Sequence, residues 1–223
     1  MRITAGVQDY VKAIYTLQQE EAPVSNGRLA SYFGFSAPTI TEMLKKLESL
    51  ELVDYQARYG VRLTEIGEKI ALEMIRHHRL LELYLVQALG MSWDEVHDEA
   101  EVLEHVLSEA LEERIAEYLG HPQFDPHGSP IPARDGSIPQ RDSCSLALLE
   151  LNQIARIVEV EDRDAARLRY LADLGLTPNN VITIIARAPF DGPLTLWVGA
   201  EQTQQVLDSR LATRIQVQIE RSI

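Results

Sequence analysis

The segment V-H-D-E-A-E-V-L-E-H-V at 96–106 combines two histidines with two carboxylates at helical spacing. They occupy positions i, i+4, i+7 and i+8, which at about 100° per residue is an arc of roughly 100° on one helical face. Unpaired carboxylates are costly to bury, and a divalent cation would remove that cost. The alternative is a solvated acidic helix face with incidental histidines. The four residues are His97, Glu101, Glu104 and His105.

A second histidine–carboxylate pair lies upstream, where His78 and Glu82 stand at i and i+4. One such pair alone more often belongs to an ordinary solvated helix face. Two groups of this kind in one chain favour a metal site.

The composition is that of an ordinary globular protein: 223 residues, 45% hydrophobic and 25% charged. The single cysteine, Cys144, excludes an intrachain disulfide and a cysteine-rich zinc site. No apolar run is long enough for a membrane span, and the first residues lack the apolar core of a signal peptide. We therefore expect a cytoplasmic protein with no membrane partner.

The formal net charge of −13 argues, taken alone, against binding to nucleic acid. The charge is uneven, however, because the first third of the chain is nearly neutral and the remainder carries most of the acidic excess. The neutral part could present a modest basic surface to DNA, while the acidic part points away from DNA or collects cations.

The residues that would position such a DNA surface form a recognisable order of elements. A helical apolar pattern covers 7–19, and Ser25 precedes a short helix at 27–33. Ser36 can cap a further helix that has Pro38 in its first turn and ends near Leu50. Two strand-like runs at 52–56 and 61–64 then flank a tip that contains glycine. This order predicts a winged helix-turn-helix domain, to which we assign 1–73.

The next region, 74–142, is predicted to be helical and then irregular. One long helix starts at Thr64 and runs to about Leu89. Another runs from Ser92 to about Leu119 and should be little interrupted or bent, because it contains no glycine or proline. Proline and glycine then become frequent, so 120–142 is predicted to be a flexible linker.

The final region, 143–223, changes to short strand-like runs. These runs lie at 152–160, 180–188, 194–199 and 212–220, and a short helix ends at Gly175. Short strands separated by turns predict a small β-barrel.

Taken together, these motifs resemble the DtxR/MntR family of metal-dependent transcriptional repressors. The resemblance covers essentially the full chain and rests on S-A-P-T-I-T-E-M-L-K-K-L-E at 36–48, H-H-R-L-L-E at 77–82, the 96–106 segment and H-G-S-P-I-P at 127–132. It implies a mainly α fold with small β parts. Its domains are a winged helix-turn-helix, a helical dimerisation domain and a C-terminal FeoA/SH3-like domain.

The resemblance also implies a primary metal site formed by Asp9, Glu101, Glu104 and His105. The first two are carboxylates, as in the manganese-responsive branch, whereas the iron-responsive branch has Met and Cys there. Carboxylate oxygens are hard ligands that suit Mn²⁺. Lys12 departs from the manganese branch, which carries Glu at this position, and its charge would oppose a close pair of cations.

A second, ancillary site of the family matches His78, Glu82 and His97. The C-terminal domain would complete it with Glu161 and Asp164, although Asp162 or Glu159 could serve instead, and all of them could be an ordinary solvated turn. Arg79 matches an anion-binding residue of some members. Its partner positions are Asp125 and Ser129 here, which argues against that role.

For DNA, the resemblance implies that the recognition helix enters the major groove and that basic residues contact phosphates. Since no arginine stands at a clear base-reading position, DNA shape could contribute to specificity. Lys45 and Lys46 could instead form an exposed face paired with Glu42 and Glu48. The groove residues are Ser36, Pro38, Thr39, Thr41 and Glu42, and the phosphate-contacting residues are Arg28, Lys45, Lys46 and Arg58.

The sequence therefore predicts a homodimeric, cytoplasmic, metal-activated regulator that binds double-stranded operator DNA and is not an enzyme. The expected metal is Mn²⁺, with Fe²⁺ possible and Zn²⁺, Co²⁺ or Cd²⁺ as surrogates. The alternatives are an iron-responsive repressor of the same family, a winged-helix regulator that senses an organic ligand, and a metallohydrolase built on the His/Glu helix.

Overall fold

The computed structural model describes residues 3–161 and 164–220, which divide into two compact units. The first unit contains the chain up to His78, Glu104–Leu107 and Pro132–Ser137. The second unit contains Arg79–Leu103, Ser108–Ile131 and the chain from Ile138 onward.

The first unit begins with the predicted winged helix-turn-helix. Its helices are α1 (Ala5–Glu20), α2 (Asn26–Phe33) and α3 (Ala37–Ser49), and its hairpin is β1 (Val53–Gln56) with β2 (Gly60–Leu63). The expected caps are present, because the Ser25 and Ser36 side chains accept hydrogen bonds from main-chain N–H groups of their helices. The apolar faces of the three helices are buried, including Ile14, Leu29 and Leu44.

The wing hairpin is fixed against the chain that precedes α2. Val24, which precedes α2, forms an isolated antiparallel bridge with Val61 of β2, and the two residues exchange main-chain hydrogen bonds of 2.9 Å. A Cβ atom at Gly60 would lie 2.4 Å from the Val24 carbonyl oxygen. Glycine is therefore required where the wing meets this segment.

Helix α4 (Glu65–Leu89) matches the predicted long helix. The Thr64 hydroxyl accepts a hydrogen bond from the Gly67 N–H at 3.1 Å, and acidic residues occupy the first turn, so the start of the helix is capped and its dipole is matched. The division between the two units falls within this helix, after His78.

The prediction of one helix, little interrupted or bent, from Ser92 to about Leu119 is wrong. The chain forms α5 (Val96–Leu103) and α6 (Glu109–Tyr118), separated by a turn. Ser108 starts the second helix, because its side chain accepts from the Leu111 N–H at 3.3 Å. The predicted helical arc therefore holds for His97 and Glu101, while the other two residues of the pattern lie in the turn.

The segment 120–142 is irregular, as predicted, but the expectation of a flexible linker does not fit its burial. Asp125, His127, Ser129 and Ile131 are all buried. The Arg141 guanidinium lies 3.4 Å from the centroid of the Phe124 ring and donates a hydrogen bond of 2.5 Å to a main-chain carbonyl. The part at 125–132 is therefore packed rather than solvated, whereas most residues of 133–142 are exposed.

The C-terminal region of the second unit forms a six-stranded antiparallel sheet in the order β3-β8-β4-β5-β6-β7. Its core includes Ile157, Leu168, Ile184, Leu196 and Val217, with Trp93 packed against it. The elements are β3 (Cys144–Ser145), a 3-10 turn (Leu146–Leu148), β4 (Ile154–Val160), α7 (Ala165–Asp173), β5 (Val181–Arg187), β6 (Leu194–Val198), β7 (Thr203–Leu207), α8 (Ser209–Ala212) and β8 (Ile215–Ile219).

Within the described chain, none of the helices has the length and apolar character that crossing a membrane requires.

Candidate functional site

The first unit gathers Asp9, Glu104 and His105 so that one ligand atom of each lies within 4.8 Å of the others. His105 Nε2 is 2.9 Å from Asp9 Oδ1 and 3.9 Å from Glu104 Oε1. The Glu104 side chain is fully buried. Asp9 comes from α1, while the other two come from the turn after α5.

A hydrogen bond to Gln8 orients the His105 ring for ligation. His105 Nδ1 lies 2.9 Å from Gln8 Oε1, so that Nδ1 donates to the amide oxygen. In the neutral ring Nε2 then carries the lone pair, and it faces the Asp9 carboxylate at 2.9 Å. Two facing lone pairs repel unless a proton or a metal ion lies between them. Two carboxylates and one imidazole therefore fit a divalent cation, and the absence of sulfur in this set favours a hard ion.

Glu104 is also held by residues outside this set. Lys12 Nζ donates to both carboxylate oxygens at 2.8 Å, and His78 Nδ1 is 2.6 Å from Oε2. His78 was predicted to belong to the ancillary site, and in the first unit its partner is Glu104. The sequence signalled Lys12 as a departure from the family pattern but did not indicate this ion pair.

Glu101, the remaining predicted primary ligand, belongs to the second unit. Its carboxylate lies 3.9 Å from Nε2 of His97, one helical turn away on α5. Its place in the primary site remains a prediction.

The second unit contains a buried cluster that the sequence did not predict, formed by Glu82, Asp125 and His127. His127 Nε2 donates to the main-chain carbonyl of Trp93 at 2.7 Å, so in the neutral ring Nδ1 carries the lone pair. This Nδ1 lies 3.7 Å from Glu82 Oε2. A histidine whose second nitrogen is bonded to a carbonyl is the usual arrangement of a metal ligand, so the cluster fits a divalent cation.

Glu82 joins this buried cluster to a predicted ancillary residue. Its Oε1 atom lies 3.2 Å from His97 Nδ1, while Oε2 faces His127. Of the three predicted ancillary ligands, Glu82 and His97 are thus in contact within the second unit.

The cluster was missed because two of its three residues, Asp125 and His127, lie in the proline-rich segment that the composition marks as a linker. Asp125 Oδ1 accepts hydrogen bonds from the N–H groups of His127 at 2.8 Å and Ser129 at 2.9 Å, which folds the segment into a turn. The available signal was D-P-H at 125–127, whose histidine is the first residue of H-G-S-P-I-P.

The C-terminal residues predicted to complete the ancillary site have other contacts. Glu161 is paired with Arg167 and Arg214, and Asp164 caps α7 by accepting from the Arg167 N–H at 3.1 Å. The alternative Glu159 accepts a hydrogen bond of 2.9 Å from Ser129 Oγ, next to the buried cluster. The other alternative, Asp162, lies outside the described residues.

Two arginines adjoin the buried cluster. Arg79 Nε lies 3.6 Å from Asp125 Oδ2, and its guanidinium also donates to the Pro130 carbonyl. Burial lowers the pKa of Arg141, although the nearby carboxylates of Glu159 and Asp125 act in the opposite direction. Arg79 therefore has a carboxylate of this chain as its partner, which does not support the anion-binding role.

The predicted DNA-contacting residues lie mostly on the exposed face of α3 and at the wing tip. Several have partners within the protein: the Ser36 and Thr39 hydroxyls are hydrogen-bonded to each other at 2.9 Å, and Arg28 is paired with Glu20 at 2.5 Å and with Glu21 at 3.6 Å. The Thr41 hydroxyl donates to the Ala37 carbonyl at 2.9 Å and accepts from Asn26 at 3.1 Å. The exposed predicted residues are Ser36, Pro38, Thr39, Glu42, Lys45, Lys46 and Arg58.

Three family models match the chain in succession. They are the N-terminal DNA binding domain of the iron dependent repressors at residues 2–61, their metal binding and dimerisation domain at 64–133, and the FeoA domain at 144–219. The chain belongs to the DtxR/MntR family of metal-dependent repressors. The chain is therefore a metal-dependent transcriptional regulator with a DNA-binding domain. The metallohydrolase alternative is wrong, because this family consists of repressors rather than enzymes. The three-domain fold predicted from the sequence is confirmed.

The relatives and solved structures that are similar to this chain include iron-dependent and manganese-dependent repressors. The iron-dependent repressor IdeR of Mycobacterium tuberculosis is 32% identical over 187 residues, which cover 78% of this chain and 81% of IdeR. A solved manganese-dependent transcriptional repressor in complex with manganese is 40% identical, with a TM-score of 0.88, and covers 96% of this chain and 100% of its own. The structure of ScaR with bound Cd²⁺ is 32% identical, with a TM-score of 0.80, and covers 95% and 98%.

Proposed function

We propose that this regulator responds to Mn²⁺ and binds operator DNA as a homodimer in the cytoplasm. The observation that carries the proposal is the cluster of Asp9, Glu104 and His105, whose oxygen-rich donors lie within 4.8 Å of one another. Hard carboxylate oxygens suit Mn²⁺ better than the softer ions that select thiolate or thioether ligands. The similarity to a solved manganese-dependent repressor supports the same metal.

The coupling between metal and DNA follows from where the ligands lie in the chain. Asp9 is on α1 of the DNA-binding domain, and the Glu104–His105 turn lies between two helices of the dimerisation domain. A bound cation would supply the charge that holds these segments together. A metal that prefers the DNA-binding arrangement then raises DNA affinity by the same factor by which DNA raises metal affinity.

The homodimer is supported by apolar side chains exposed on α5 and α6. Val102 is 70% exposed, Leu111 53% and Tyr118 68%, within the domain matched by the dimerisation model. These exposed apolar side chains support the proposal that the two helices form a protein interface. A dimer with two reading helices matches an operator with two-fold symmetry.

The test is operator binding with and without metal. An operator is first selected from random duplex DNA in the presence of Mn²⁺, and affinity is then measured by fluorescence anisotropy. We expect chelation to weaken binding at least about tenfold, or ~1.4 kcal/mol. Asp9→Ala should lose the metal response, and Asp98→Ala, an exposed acidic change on α5, should keep it. Equal affinity with and without metal contradicts the proposal.

The iron-responsive alternative is favoured by the similarity to IdeR. The same binding measurement decides between the metals when Fe²⁺ is added without oxygen and both ions are compared at matched occupancy. Stronger activation by Fe²⁺ than by Mn²⁺ would favour the alternative.

We propose the Glu82–Asp125–His127 cluster as the centre of the second cation site, with His97 next to it. Its three donors are buried and His127 is oriented by the Trp93 carbonyl. Under this proposal Asp125 and His127 replace Glu161 and Asp164 as ligands. Glu101 keeps its predicted role as a primary ligand, and the His78→Ala variant below tests the ancillary assignment of His78.

A further inference from the structure

We propose that Lys12 is a permanent cation of the Asp9–Glu104–His105 cluster, which lowers the affinity of the cluster for metal and limits it to one divalent ion. The inference rests on the proposed metal function. It starts from the ammonium group of Lys12, which lies 2.8 Å from both carboxylate oxygens of Glu104. The side chains are 14% and 0% exposed, so water screens this ion pair poorly.

Helix α1 brings both the ammonium and a metal ligand to Glu104. Lys12 follows Asp9 by three residues, so the two side chains lie on one helical face a turn apart. Glu104 therefore has different neighbours on its two oxygens. Oε1 is 3.9 Å from His105 Nε2, and Oε2 is 2.6 Å from His78 Nδ1.

This arrangement leaves one side of Glu104 for a metal ion. An ion held by Asp9 and His105 would approach Oε1, while Lys12 remains bonded to Oε2. His78, the other neighbour of Oε2, lies with its Nδ1 3.3 Å from the Lys12 ammonium. The metal shares a carboxylate whose charge the ammonium already offsets, which weakens its binding. A second divalent ion at Oε2 would have to take the place of the ammonium, and repulsion between cations in a buried site excludes it.

The experiment counts bound Mn²⁺ and measures its affinity by equilibrium dialysis of the full chain. Lys12→Gln removes the charge and should bind Mn²⁺ about tenfold more tightly at the site that Asp9→Ala removes. Lys12→Glu adds an anionic ligand and should bind one more ion per chain. Lys12→Arg keeps the charge and should retain the wild-type count. Lys69→Gln, a change of an exposed lysine paired with Glu65, should behave as wild type.

Several results would overturn the role of Lys12. These are an unchanged or weaker affinity in Lys12→Gln, or a wild-type ion count in Lys12→Glu. Electron paramagnetic resonance of the wild-type chain needs no variant: a spin-coupled Mn²⁺ pair that Asp9→Ala removes would contradict a single ion. Failure of the proposed function looks different, because the wild-type chain would then bind no Mn²⁺ that depends on Asp9.

Discussion

His127 and Trp93 are joined by a hydrogen bond of 2.7 Å from the imidazole Nε2 to the main-chain carbonyl, and their rings stack at 5.5 Å. Trp93 also packs against the core of the C-terminal domain. The bond leaves Nδ1 of His127 facing Glu82. The orientation of a candidate metal ligand is therefore tied to the packing of the C-terminal domain.

Replacing His127 should remove one metal ion. His127→Ala deletes the imidazole from the buried cluster, so we expect one fewer Mn²⁺ per chain in equilibrium dialysis, with operator binding weakened but retained. His121→Asn is the matched control, since His121 is an exposed histidine of the same segment and asparagine tolerates its positive φ of 53°. An unchanged ion count in His127→Ala would remove this histidine from the metal site.

A methyl group at Gly128 should destabilise the second unit. Its Cβ would lie 1.9 Å from the Val158 carbonyl oxygen of β4, and its φ of 92° already disfavours a side chain. Gly120 has a φ of 74° with nothing within 4 Å of the added atom. In urea unfolding we expect Gly120→Ala to cost about 1 kcal/mol and Gly128→Ala about 3 kcal/mol, the difference being the steric clash. Equal losses would show that the segment can move away from β4.

Two histidines assigned by resemblance to one ancillary site should behave differently. His78 contacts Glu104 at 2.6 Å, whereas His97 contacts Glu82 at 3.2 Å. We therefore expect His78→Ala to change Mn²⁺ affinity at the site that depends on Asp9, and His97→Ala to change affinity at the site that depends on His127. Calorimetric titration of both variants measures this. If both variants affect only the His127 site, the ancillary assignment of His78 stands.

Asp94 should make stability depend on pH in the acid range. A hydrogen bond from the Ser92 hydroxyl, supported by Arg169 at 3.0 Å, holds the pKa of the Asp94 carboxyl below its usual value, against the effect of burial. A carboxyl whose pKa is lower in the folded state than in the unfolded state stabilises the fold. Its contribution is complete above the unfolded pKa of about 4 and is lost as the pH falls through the folded pKa. Asp94→Asn should therefore cost about 1 kcal/mol at pH 7.

The cost of Asp94→Asn should shrink as the pH falls below about 4, as measured by urea unfolding over a pH series. Arg169→Gln keeps the Ser92 hydrogen bond and should cost less at pH 7. A difference between wild type and Asp94→Asn that is constant over the whole series would contradict this origin of the stability.

Charge removal on α3 should weaken DNA binding and its dependence on salt. Lys45 is exposed, so Lys45→Ala should reduce the slope of log affinity against log salt by about 1 if it contacts a phosphate. Arg28→Ala should have a smaller effect, because Glu20 and Glu21 already pair with this arginine. Lys69→Ala, on the exposed part of α4, is the control. A larger effect from Arg28 than from Lys45 would mean that DNA breaks these ion pairs.

The elements that the sequence predicted well are those set by local signals. Ser25 and Ser36 stand directly before α2 and α3 and cap them, and the apolar spacing of each helix is regular. The break after α5 was missed because apolar periodicity continues across it. The local sign of a new helix is Ser108, which caps α6. Strand β7 was missed because it lies at the sheet edge and T-Q-Q-V-L is mostly polar and exposed.

The donor types of the candidate metal sites were predictable, but their pairing was not. The contact between Lys12 and Glu104 joins residues 92 positions apart, which no helical spacing can indicate. Asp125 and His127 occur among prolines and glycines, a composition shared by solvated linkers and by tightly packed turns. Tertiary packing decides between these two, and it buries both side chains.

The pairing of Arg28 with Glu20 and Glu21 should weaken the attraction of this arginine for the phosphates of any DNA. A phosphate that approaches this arginine replaces carboxylates of the protein, so the exchange gains little attraction. The net charge of −13 adds repulsion from any duplex. If Arg28 contacts DNA, as the family resemblance implies, we therefore expect weak binding to arbitrary sequences, which vastly outnumber operators.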